Sequence, residues 1–318
     1  MKNNPSIKTI LKLLFAFSLI VWFLYKNDLS KITQSILSLS IWIYLTSVFL
    51  IFLAVWLNSV KWFVILPKYK IIKLFESNMI GQFYGLILPG QLLGDGAKAY
   101  IFGKGKNDTE KIWVSVFFDK ITGIIGLLFL GIFGLVFTSE NLPMWFVLNL
   151  LACTGFGFLI LFLIRLEFFY KFILRSLLRL NQKFVKFNKL FELFTKLVDA
   201  WYIYTRKIKI VFLSILLGVI YQIMGIVINM VLAKEFDINV SFIDWCWLQA
   251  VVSILLLLPL TIGGIGIREG SLIGLLGWLG VTSEKALALS FSIFSLQIIL
   301  AIVGGILDHK LILKKKLA

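Results

Sequence analysis

Histidine and cysteine, which supply most zinc sites and many catalytic centres, are nearly absent: one His and two Cys in 318 residues. His309 stands beside Lys310 just past the last apolar run, an interfacial place and not a catalytic one. Cys153 and Cys246 lie in separate apolar runs, without framework or metal-ligand spacing, and read as packing residues. No Ser/His/Asp, Cys/His or paired-carboxylate set assembles from neighbouring segments. No G-x-x-x-x-G-K-[ST] loop occurs, and the polar connections are too short for a nucleotide-binding domain. The expectation is a chain with no cofactor, no metal and no enzymatic activity. Acidic residues are also scarce, 16 against 32 Lys and Arg, for a net charge of +16. The basic residues fall between apolar runs instead of on one soluble face, which argues against nucleic acid and for anionic lipid head groups as the counter-charge.

What is abundant is apolar surface: 60% hydrophobic residues and a mean hydropathy of +0.96, too much for a water-facing domain. In hydrocarbon every backbone donor and acceptor must be satisfied internally, and apolar runs of about 20 residues select helices over a barrel. Six segments are long enough to cross: roughly 7–25, 41–63, 112–137, 144–164, 208–232 and 286–307. In the first, Lys2, Lys8 and Lys12 precede an apolar stretch from Leu13 to Leu24, and Tyr25, Lys26, Asn27 and Asp28 follow with no small-x-small site, so it reads as an anchor and not a cleaved signal. Two further regions, about 71–103 and 243–280, are interrupted by Pro and Gly, and each fits two half-helices of a re-entrant hairpin or, on a rival count, a full crossing. With hairpins and cytoplasmic termini, 27 of the 32 Lys and Arg fall on the cytoplasmic side, which favours that topology in a cell (inner) membrane. Segment 165–207 interleaves Lys171, Arg175, Arg179, Lys183 and Lys186 with Phe169, Phe172, Phe184, Phe187, Phe191 and Phe194. It fits helices lying in the interface against anionic lipid, or a helical pair packed under the bundle.

The two interrupted regions resemble each other. PGQLLGDGAK (89–98) aligns without a gap on PLTIGGIGIR (259–268), pairing Pro89 with Pro259, Gly94 with Gly264, Gly96 with Gly266 and Lys98 with Arg268. Each motif is flanked by one span before and one after, giving repeats 41–137 and 208–307, with a single crossing between the units that inverts the second. Inverted repeats with broken helices are the build of alternating-access transporters. Ionisable groups in such a region are costly and tend to pair, line wet cavities or bind substrate; here they are Asp95, Lys98, Asp119, Lys120, Arg268 and Glu269. Gly263, Gly264 and Gly266 can turn the backbone sharply and bare N–H groups at a half-helix start, where Arg268 adds a planar fork suited to phosphate. Gly90, Gly94 and Gly96 are assigned the same hinge role, with Lys98 as the cation and Asp95 as its partner. Pro89 and Pro259 should end the preceding half-helices. Gln91 and Tyr100 are further polar candidates. A plainer reading makes Asp95–Lys98 and Arg268–Glu269 local ion pairs that merely hold the hairpin tips, and leaves Asp119 and Lys120 at a span end.

At LPGQLLGDGAKAY (88–100), FFDKITG (117–123) and IGGIGIREG (262–270) the chain resembles the flippase-like membrane family typified by the transmembrane half of lysylphosphatidylglycerol synthase, the multiple peptide resistance factor. That family's pattern is an LPG-R-x-G-E-x-x-R-A-Y-like stretch, a D-R or D-K pair on the next span, and P-x-G-x-G-x-R-E-G. The resemblance covers about residues 40–307, with Gln91 in place of the usual Arg and Asp95 in place of Glu. It implies that Asp95 and Lys98 take the acidic and basic places of the first motif, that Asp119 and Lys120 form the pair, and that Arg268 and Glu269 form a second cationic site. The synthases carry a soluble aminoacyltransferase domain after the membrane part, and this sequence runs to Ala318, so lipid lysylation by it alone is not expected. The expected fold is an all-α polytopic inverted repeat of six spans and two re-entrant hairpins. The expected function is flipping of a phosphate-headed, aminoacylated or glycan-linked lipid. The alternatives are a non-transporting partner of a lipid-modifying or glycosyl transferase, and a small-anion transporter.

Overall fold

A computed structural model describes residues 25, 29–88, 91–138, 142–183, 188–258 and 261–317. Its regular elements are helices: α1 Leu29–Leu37, α2 Ile41–Ile65, α3 Ile71–Ile87, α4 Gln91–Gly103, α5 Thr109–Phe137, α6 Met144–Ile164, α7 Glu167–Lys183, α8 Asn188–Thr205, α9 Ile208–Glu235, α10 Phe242–Leu257, α11 Ile267–Trp278 and α12 Ser283–Leu317. Four are long and apolar enough to cross a membrane: α2, α5, α9 and the Ser283–Ile312 part of α12. Helix α6 covers the expected 144–164 crossing, and the expected first span lies, but for residue 25, outside the described residues. The bundle is apolar outside as well as inside. On α2, Trp42, Phe49, Trp56 and Phe63 recur every seven residues and all face outward, a stripe that only lipid solvates without cost. Small polar groups such as Ser47, Ser59, Ser115 and Thr122 point inward instead, each hydroxyl donating to a backbone carbonyl three or four residues back.

Helix ends gather at two opposite faces. At one, Ser40 N–H donates to Glu235, Thr138 donates to Asp244 and Lys285 pairs with Asp237. At the other, the loops before α3 and after α4 are tied together by Asp108, which accepts from Lys68 at 2.7 Å and from the Tyr69 hydroxyl at 2.6 Å. These two contacts hold the Asp108 carboxyl down at about 2, while burial and the same carboxylate push the Tyr69 phenol up to about 12. Helices α7 and α8 lie at this second face. Helix α8 packs under α5, with Phe118 stacked on Tyr204 and close to Trp201, while α7 leaves a face open. Phe184, Phe187 and Lys186 of the expected stripe lie outside the described residues.

The packing repeats across the two halves. Helix α2 packs on α9; α3 packs on α12 as α10 packs on α5; and α4 packs on α5 as α11 packs on α12. Each interrupted region is a pair of short helices in contact, α3 with α4 and α10 with α11. They have 17, 13, 16 and 12 residues. At about 1.5 Å per residue none spans the ~30 Å hydrocarbon core. Helices α3 and α10 stop at Ile87 and Leu257, two residues short of Pro89 and Pro259, as the conformational restriction before proline requires; the prolines and Gly90 lie outside the described residues. Gly134 and Gly304, 170 residues apart like Gly94 and Gly264, sit where the flanking spans touch the first helix of each hairpin. A Cβ on Gly134 would meet Ile243 O at 2.7 Å, and one on Gly304 would overlap Met79 O.

Candidate functional site

The second hairpin carries the turn that its glycines foretold. Gly263, Gly264 and Gly266 have φ of +63°, +74° and +86°, a region in which any Cβ is strained, so the chain reverses there and α11 starts at Ile267. A Cβ on Gly264 would also strike Leu256 at 2.5 Å. The turn delivers Arg268 in the first turn of α11, 2% exposed, with its guanidinium 5.2 Å from the Phe294 ring. Its Nη2 donates to Gly263 O at 3.2 Å and to Gln297 Oε1 at 2.6 Å, while Nη1 has no partner among the described residues. Glu269 does not pair with this guanidinium as expected. Its carboxylate accepts from the Gly266 N–H and, at 3.0 Å, from the Ser290 hydroxyl. The Gly266 N–H at the half-helix start is therefore taken by the chain's own carboxylate, so this donor is not bare for a ligand as expected.

The first hairpin differs. Gly94 and Gly96 lie inside α4, so neither is a hinge. Gly94 is instead a contact point: a Cβ there would meet the Gly85 backbone at 2.7 Å, and its absence lets α3 and α4 cross closely. Gly81 of α3 likewise leaves room for the stem of Lys98, whose Cβ lies 3.3 Å from the position a Gly81 Cβ would take. The buried Lys98 ammonium donates to Asn78 Oδ1 at 2.9 Å, lies 4.4 Å from the Trp62 ring, and is 3.6 Å from Asp119 and 3.8 Å from Asp95. Asn78 is oriented in turn by donating to Ser59 at 2.8 Å.

Asp119 is not at a span end: it sits ten residues into α5, buried, as the hub of the cluster. Lys61 of α2 reaches its carboxylate at 3.1 Å and its backbone carbonyl at 2.6 Å. One turn on, Gly123 makes room for that ammonium, since a Cβ there would stand 3.1 Å from Lys61 Nζ. Lys120 pairs with Asp95 at 3.1 Å, closer than the Lys98 contact assigned to that carboxylate from sequence. Three ammonium groups and two carboxylates thus knit α2, α4 and α5 together in a low-dielectric interior, where each charge requires the others.

Both halves open on one cavity of about 320 Å³. Lys61, Lys98, Lys120 and Arg268 line it with Asp95 and Asp119, an excess of two positive charges. Amides add neutral polarity: Asn58, Gln82, Asn229, Gln249 and Gln297 all contribute to the wall. The hairpin tips meet at its edge, where a Cβ on Gly263 would lie 3.1 Å from Leu86 O. Tyr100 is 58% exposed and outside the cavity, because it stands two residues past Lys98 on another face of α4. Gln91 opens α4. The family model for the lysylphosphatidylglycerol synthase TM region matches residues 9–305, nearly the whole chain. The chain belongs to that family. All three stretches that carry the resemblance, and every residue lining the cavity, fall inside the matched span of the synthase TM-region family. No curated protein and no solved structure matches the chain.

Three participants in this TM-region site escaped sequence reasoning. Lys61 reads as a cation closing a span, and only the tertiary pairing with Asp119 turns it inward. Asn78 is one of several polar residues in an interrupted region, with nothing local to single it out. Gln297 does carry a signal, as the one amide in the apolar run 286–307, a position where an unpaired polar group would be costly.

Proposed function

We propose that this chain moves a phosphate-headed lipid between the leaflets of the cell membrane by alternating access, with the shared cavity as the head-group site. The observation that carries the reading is Arg268: a buried guanidinium lining the cavity, with Nη1 unpartnered among the described residues and Nη2 already fixed by Gln297 and Gly263. A buried donor without an acceptor is destabilising, so a site that keeps one is poised for an anionic ligand. The excess of positive charge supports an anion over a cation. The apolar outer surface supports a lipid over a soluble ion, since tails need no protein enclosure. Family membership supports a lipid-related role, and the paired hairpins support transport in preference to catalysis.

In this reading both hairpins are re-entrant and the chain has six spans. Lys98 and Arg268 contact the head group; Asp95, Asp119 and Lys120 hold Lys98 in place; and the cation-rich face of the bundle with both termini is cytoplasmic. A transferase that modifies the same lipid is the partner class this role implies. The test is leaflet exchange of fluorescent phosphatidylglycerol in proteoliposomes. Wild type should exchange it above protein-free vesicles, and Arg268→Ala should slow exchange about tenfold or more, the cost of one charge-assisted hydrogen bond. No exchange of this or of aminoacylated and glycan-linked lipids by wild type would overturn the transport reading. Equal exchange by the variant would overturn the site.

A further inference from the structure

The open face of α7 stands apart from the cavity. Helix α6 ends at Ile164 and α7 begins at Glu167, so the connection places the first turn of α7 at the boundary of the apolar bundle. Its inner face is fixed: Tyr170 stacks on Tyr202 of α8 at 3.8 Å and donates to Asp199 at 2.8 Å, and Ile173 packs into the cluster around Phe118. The opposite face carries Phe168, Lys171, Phe172, Arg175, Ser176 and Arg179 around one shallow groove. Phe168 is 77% and Phe172 59% exposed, an arrangement that water penalises. Lys171 is paired with Glu167 at 2.7 Å, whereas Arg175 and Arg179 have no acidic partner among the described residues. Residues 168, 172, 175 and 179 follow steps of four and three, so rings and guanidinium groups share one stripe.

We propose that this stripe is a binding site for an anionic phospholipid head group. Arg175 and Arg179, one turn apart, clamp the phosphate, and Phe168 and Phe172 enter the glycerol and upper acyl layer beneath it. The charge decides the occupant: two unpaired guanidinium groups flanked by exposed rings at the end of a span match a phosphate above hydrocarbon. An acidic soluble protein would leave the rings uncovered. The site is independent of the transport reading, and its occupant stays in its own leaflet.

Native mass spectrometry of the purified full chain, exchanged into detergent with equal phosphatidylglycerol and phosphatidylcholine, tests this. Wild type retains phosphatidylglycerol preferentially. The double variant Arg175→Gln/Arg179→Gln binds it about 25-fold more weakly, from a factor of about five for each lost charge near an anionic surface. Lys171→Gln, whose charge Glu167 already holds, changes retention by less than about fivefold. Equal retention by wild type and the double variant overturns the site, as does an equal loss in Lys171→Gln. If the double variant fails to fold, Phe168→Trp in nanodiscs is the second measurement. Its fluorescence should be quenched more by brominated phosphatidylglycerol than by brominated phosphatidylcholine, and equal or absent quenching overturns the proposal.

Discussion

At the scale of residues, Asp119 is the position on which the cluster turns. Its carboxylate is shared by Lys61 at 3.1 Å and Lys98 at 3.6 Å, and its backbone accepts from Lys61 as well. Removing it strands a fully buried ammonium, because Lys61 has no other carboxylate within reach among the described residues. Asp119→Ala is expected to destabilise the protein by about 3–5 kcal/mol, read from unfolding in mixed micelles. Lys61→Met combined with Asp119→Leu removes both charges and should recover much of that loss. A double variant no more stable than the single one would show that the pair is not the source of the effect. Arg268 is a different case. Its hydrogen bonds go to neutral acceptors and it makes no close ion pair among the described residues, so substitution there should weaken ligand handling more than stability.

At the scale of elements, close packing through glycine sets how the hairpins seat. Gly134 of α5 leaves no space for a side chain against Ile243 and Trp247 of α10, whereas Gly274 on α11 faces open space. Gly134→Val should cost about 1–3 kcal/mol in the same unfolding assay, and Gly274→Ala should fall within about 0.5 kcal/mol of wild type. A second device joins the loops before α3 and after α4 through Asp108. Its folded value of about 2 lies below the ordinary carboxylate value near 3.8, so the tether contributes fully above about pH 4 and is lost as pH falls toward 2. Amide-exchange protection across 104–108 is therefore expected to hold constant from pH 7 to about 4 and then drop. Protection that declines already between pH 7 and 5 would point to another group.

The elements also show what was legible beforehand. The helix breaks ahead of Pro89 and Pro259, the three glycines of the second turn and the inward cation at 268 are local matters of proline, positive φ and charge in an apolar run, and the sequence displays them. Gly94 and Gly96 align with Gly264 and Gly266 yet sit in a helix, because a glycine's use depends on whether a neighbour crosses over it, and Gly85 does. The role of Glu269 was hidden for a similar reason. A carboxylate beside an arginine suggests a pair, but Glu269 follows Gly266 by three residues, the spacing of a cap, and the helix start outcompetes the guanidinium. Lys61 joins the site only through a contact across 58 residues, which no local pattern carries, whereas Gln297, reached across 29, stands out as the one amide in its apolar run.

At the scale of the whole molecule, the two halves share a packing plan and differ in chemistry. The first seats its hairpin with five charges, the second with a capped turn and one arginine held by neutral acceptors. If both hairpins move about the cavity between them, the second has the weaker hold, and motion should begin there. Alternating access, as proposed, requires this cavity to face each side of the membrane in turn. Ile293 lines it near Arg268 and offers a test by cysteine accessibility in a background free of Cys153 and Cys246. In oriented vesicles, Ile293→Cys should react with a membrane-impermeant maleimide added to either side, and added phosphatidylglycerol should change the ratio of the two rates. Reaction from one side alone, whatever lipid is present, would contradict alternating access through this cavity.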